Sequence, residues 1–162
     1  MLFDAPFTLG PFEIDCEGRL SPGEPDVVPA FVFRWHGRLV RARITTDSGD
    51  TGLLVLQVTL GRVRSTASSP DDMLRPRSFT LLRWLMRAAP TQWHVNLLAD
   101  HRVWLETNRR IGLPITAAAL ITEITLFALE LAPYLELLDE RGLTLSDYTP
   151  ASPMHPLPEV SA

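Results

Sequence analysis

From Ile115 to Leu138 the chain is almost continuously apolar, interrupted only by Glu123, Glu130 and Glu136 among charged residues. Charges at a bilayer centre cost about 2.5–3.5 kcal/mol each on insertion scales, so three of them argue against a membrane span. Thr116 supplies a hydroxyl cap, and the segment reads as a helix running to about Asp139 and stopping near Gly142. Leu120, Ile124, Phe127 and Leu131 form one stripe at helical spacing, which Ile121, Ala128 and Leu135 widen. Burial of one Leu or Ile is worth about 1.5–3 kcal/mol, and a single small sheet does not cover so broad a face. A second copy of the chain is the economical cover, so Leu120, Ile124, Phe127 and Leu131 are expected at a dimer or partner surface. Pro133 inside this helix costs about 3 kcal/mol unless a kink is useful there.

The rest of the chain supplies a sheet for that helix. Phe12 to Cys16 alternates apolar and polar and predicts a short strand; residues 21–29, rich in proline, predict a loop. Phe31-Val32-Phe33-Arg34-Trp35, the turn His36-Gly37 and the run from Arg38 to Thr45 predict a hairpin. A polar turn over 46–52 leads to a Leu- and Val-rich strand over 53–63. Ser69-Pro70-Asp71-Asp72 carries a helix-start signature. Pro76 is expected to interrupt that helix, with Ser78 recapping it for the run Phe79 to Ala88. A second hairpin spans Trp93 to Leu98 and Val103 to Arg109, turning at Asp100-His101.

The class is therefore α+β: an antiparallel sheet, meander plus hairpin, packed with two helices. One domain is expected over 1–145, its core about 12–142, followed by a mobile Pro-rich tail over 146–162. A length of 162 residues and 46% apolar content suit one folded unit. The start Met1-Leu2-Phe3-Asp4 lacks a secretory pattern, and the lone Cys16 allows no intrachain disulfide; a cytoplasmic setting fits.

Charge excludes more chemistry than it suggests. All 15 cationic residues are Arg, so there is no Schiff-base lysine, no phosphate-loop lysine and no Ser-Lys dyad. His36, His94, His101 and His155 are not in metal-ligand spacing, and no glycine-rich phosphate loop or nucleophile elbow occurs. Asp50-Thr51-Gly52 matches the aspartic-protease triplet, but it follows a polar turn rather than an apolar strand. Asp71-Asp72 finds sufficient reason at a helix start. The chain is thus expected to be non-catalytic, without cofactor or metal.

Arg34, Arg41 and Arg43 give the middle of the chain a basic character, although the formal net charge is −4. Two partners suit such strands. One is an acidic protein; the other is a single-stranded nucleic acid held along 34–64, since Phe31, Phe33 and Trp35 alternate beside the arginines. Their parity assigns the aromatics to the core and Arg34 to the opposite face.

The order meander, helix, hairpin, helix resembles the type III secretion chaperone-like fold, and within it the YbjN-like proteins. Three segments carry the resemblance: Phe31 to Trp35 with its hairpin partner, Trp93 to Leu98 with Val103 to Thr107, and Ala117 to Leu138 with Ala132-Pro133-Tyr134-Leu135. It implies a bacterial, cytoplasmic homodimer that holds a client protein without ATP. Secretion chaperones open with a helix, whereas residues 1–30 here hold five prolines and a strand pattern.

Overall fold

The computed structural model describes residues 5–23, 28–63 and 74–140. Two antiparallel sheets and two helices make up this part. A small sheet joins β1 (Phe7–Leu9), β2 (Phe12–Ile14) and β3 (Leu20–Pro22), with β2 in the centre. The main sheet contains β4 (Ala30–Trp35), β5 (Arg38–Ser48), β6 (Thr51–Arg62), β7 (Trp93–Leu97) and β8 (Arg102–Gly112). Its spatial order is β4-β5-β6-β8-β7, so the second hairpin docks through its later strand. Helix α1 (Leu74–Ala88) connects the meander to that hairpin, and α2 (Ala117–Glu140) follows it.

The expected α+β architecture is present. The β4–β5 turn is two residues long, because Trp35 pairs with Arg38, and His36 and Gly37 both have positive φ (45° and 73°). That is the type I′ geometry, whose twist matches the flanking strands. Thr116 caps α2 as anticipated: its Oγ1 accepts the Ala119 N–H at 3.2 Å.

Three expectations need correction. The first strand ends at Ile14 rather than Cys16, because Asp15 turns the chain by accepting the N–H groups of Glu17 and Arg19, both at 2.8 Å. The proline-rich loop over 21–29 includes the end of β3, and β1 precedes β2 across Gly10-Pro11, with Gly10 at φ 58°. Pro76 does not interrupt α1, which runs from Leu74 to Ala88. Near a helix start proline removes an N–H that has little call for an intrahelical acceptor. Ser78 is consequently a buried mid-helix residue and not a cap. The Ser69 to Asp72 signature, Gly142 and the tail over 146–162 lie outside the described residues.

Registered neighbours share a face, which divides the main sheet cleanly. Its inner face carries Phe31, Phe33 and Trp35 on β4, Val40, Ala42 and Ile44 on β5, Leu54, Leu56 and Val58 on β6, with Leu105, Trp93 and Val95 beyond. Against it lie Leu81, Leu82 and Leu85 of α1, the inner side of α2, and Phe12, Ile14 and Leu20 of the small sheet. Phe12 meets Phe31 edge-on at 6.0 Å between ring centroids, and Trp93 meets Phe127 at 6.0 Å. The small sheet is also tied to the entry of α2, since Leu20 N–H donates to Ile115 O and Ala117 N–H to Gly18 O.

Candidate functional site

Helix α2 is where the sequence expectation and the structure diverge most usefully. Leu120, Phe127 and Leu131 are buried within their own chain, and Ile124 packs at the core margin. They cover the sheet and are not available to a partner. The expectation of a dimer or partner surface at these four residues is therefore corrected, and the side of the helix left open is the opposite one.

That side is apolar too. Ile121, Leu126 and Leu129 are 60%, 45% and 59% exposed. Ala118, Ala119, Thr122, Thr125 and Pro133 are exposed among them. Thr122 and Thr125 donate their hydroxyls to the carbonyls of Ala118 (2.9 Å) and Ile121 (2.8 Å), one turn back. Their hydrogen-bonding capacity is thus used within the helix. Glu123 and Glu130 border the face, and both engage Arg109 on the inner side of β8, at 3.3 Å and 2.5 Å. Beyond Pro133 the exposed positions become acidic, with Glu136, Asp139 and Glu140.

By length and composition α2 also meets the requirements of a membrane span, with a mean hydropathy of 1.5 over its most apolar stretch. The buried inner side and the Arg109 pairs make it an integral layer of this fold. Only 28% of that same stretch is buried inside the chain.

The second surface is the outer face of the main sheet. Arg34, Arg41 and Arg43 all lie there, exposed, and Arg110 on β8 joins them. Arg110 is the member that sequence reading missed; the reversed order of the second hairpin, which places β8 beside β6, brings it in. The aromatic residues Phe31, Phe33 and Trp35 lie on the inner face, so the arginines and the expected base-stacking rings are separated by the sheet. Trp104 is the aromatic residue registered on the arginine side, opposite Thr59.

Among the described residues, no group of three or more His, Cys, Asp or Glu side chains is placed to hold a metal ion. His36 and His101 occupy hairpin turns with positive φ, His94 is exposed on β7, and Cys16 is half-buried. Asp50 of the Asp-Thr-Gly triplet sits exposed in the β5–β6 turn, where its carbonyl accepts the Leu113 N–H. Gly52 has its own steric reason: a Cβ there would stand 2.9 Å from both Leu113 Cδ1 and the Thr45 carbonyl oxygen. Packing therefore accounts for the glycine of the triplet.

Comparison with family models, curated proteins and solved structures found no match. The arrangement itself offers two surfaces of different chemistry on opposite sides of one sandwich.

Proposed function

We propose that this protein is a non-catalytic, chaperone-like protein-binding module that works as a homodimer. One observation carries the reading: α2 buries one apolar side in its own chain and leaves a second, uncharged from Ala118 to Leu129, facing outward. Water contact with that side costs roughly 25 cal/mol per Å² of apolar surface, which a symmetric partner removes. Ala118, Thr122, Thr125 and Leu129 follow the 4-3-4 spacing of a helix-pairing seam, and their mostly small side chains permit close approach. A two-fold axis near Thr125 sets Ile121 of one protomer beside Leu129 of its partner, so the face is complementary to itself. An uncharged seam needs no charged counterpart, which favours a second copy over an unrelated surface.

The type III secretion chaperone-like resemblance supports the same reading, as does the antiparallel sheet backed by two helices. Ahead of its main sheet this chain has the small β1–β2–β3 sheet, whereas secretion chaperones open with a helix. A cytoplasmic client other than a secreted effector is therefore the proposed cargo. Light scattering on the purified chain tests the dimer. The expected mass is twice 18.1 kDa at micromolar concentration; a single-chain mass that persists on concentration refutes it.

A further inference from the structure

The outer sheet face places an aliphatic side chain opposite or beside four of its arginines. Register sets Arg34 against Leu39, Arg41 against Val32, Arg43 against Val55, and Arg110 against Leu53. Val32 is 53% exposed, Leu39 and Leu53 are half-buried, and Val55 is buried. Arg41, Arg43 and Arg110 make no ion pair among the described residues. A carboxylate of the same face, Glu106, is held by its cross-strand neighbour Gln57 at 2.5 Å. Arginines gathered on one face give it a positive potential that an anionic partner complements.

We infer that this face docks an acidic, aliphatic-containing segment of a partner protein. The inference rests on the protein-binding reading above and names the chemistry of its client. Arg41 and Arg43 stand about 7 Å apart, the spacing of alternate residues in a strand, so an extended segment with carboxylates at alternate positions meets both. Guanidinium groups bind carboxylates through paired N–H donors, and the neighbouring Val32, Leu39 and Leu53 offer contact to the segment's aliphatic side chains. Charge complementarity sets the class. A nucleic acid suits the face less well, because the rings of Phe31, Phe33 and Trp35 are on the other side of the sheet.

Fluorescence anisotropy with a labelled peptide of repeated Glu-Leu tests this on the full chain. Saturable binding that weakens with added salt is expected, with loss of about tenfold or more in Arg41→Glu/Arg43→Glu. The same peptide with Lys for Glu is expected to fail on the native chain and to bind the double variant. Both arginines are exposed, so circular dichroism should show the variant folded; Arg41→Gln/Arg43→Gln provides the neutral comparison. Absence of peptide binding, or binding indifferent to the arginines, overturns the inference. So does tighter, equally arginine-dependent binding of oligothymidylate. Light scattering separates the two readings: the double variant is expected to keep the native mass. Its dissociation would assign the arginines to the contact between copies and overturn the client site, whereas a monomeric native chain that binds the peptide upholds the site and removes the dimer alone.

Discussion

Among the described residues, Arg38 is the largest side chain with essentially no exposed surface, and its partners explain how a charge can sit there. Its Nε donates to Leu60 O at 2.8 Å, and its two terminal nitrogens reach both oxygens of Asp139 at 3.1 and 2.5 Å. The pair fastens the last turn of α2 to the start of β5. Removing the acid strands a buried guanidinium, a loss of about 3–5 kcal/mol for a fully buried pair. Because the Asp139 side chain is 46% exposed, solvent screens part of this, and Asp139→Ala is expected to cost about 1–3 kcal/mol. Asp139→Asn, which keeps an acceptor, should cost less; urea unfolding midpoints at constant slope measure both. Asp15 illustrates a different device. The Arg19 N–H, aided by those of Glu17 and Gly18 and by the Arg19 charge, holds its carboxyl below the ordinary value of 3.8. A depressed folded pKa stabilises the fold above the unfolded value, and the benefit disappears as pH falls through the folded one. Thermal melts of native protein and Asp15→Asn should therefore differ at neutral pH and converge below pH 3.8. None of this was legible beforehand: Arg38 reads as one more strand cation, and its partner lies 101 positions away in the chain.

Among the elements, α2 shows how far periodicity reaches. It locates the helix and its cap, because Thr116 stands at the boundary between a turn and an apolar run. It does not choose the inner side, since aliphatic residues occur nearly all round the helix and every angle looks buriable. Leu126 and Phe127 are adjacent, yet one is 45% exposed and the other fully buried. Leu126→Glu should leave the fold intact and yield a soluble monomer. Phe127→Ala should cost about 3–5 kcal/mol and unfold the chain at lower urea. If Leu126→Glu unfolded the protein instead, the outward side would belong to the core. The β4–β5 hairpin was legible because His36-Gly37 is a turn pair with an alternating strand on each side. Of the small sheet only β2 was legible, from the alternation that begins at Phe12; β1 and β3, three residues each, are too short for alternation to show.

At the scale of the whole molecule, the sheet separates an outward apolar helix face from an outward basic strand face. Sequence order conceals this, because Arg34, Arg41 and Arg43 come together with Arg110 only when β8 docks on β6. On the proposed reading, one side meets a second copy and the other is open to an acidic client. The layered fold was readable from alternating element types; the allocation of its two outer surfaces required the strand order. The proposed contact between copies can be tested by covalent trapping. With Cys16 replaced by Ser, Thr125→Cys places a thiol at the two-fold axis, while Arg43→Cys places one on the sheet's outer face as a control. Mild oxidation followed by non-reducing electrophoresis should convert Thr125→Cys to a disulfide-linked pair and leave Arg43→Cys as single chains. Failure of Thr125→Cys to cross-link, or equal cross-linking at Arg43→Cys, would contradict pairing through α2.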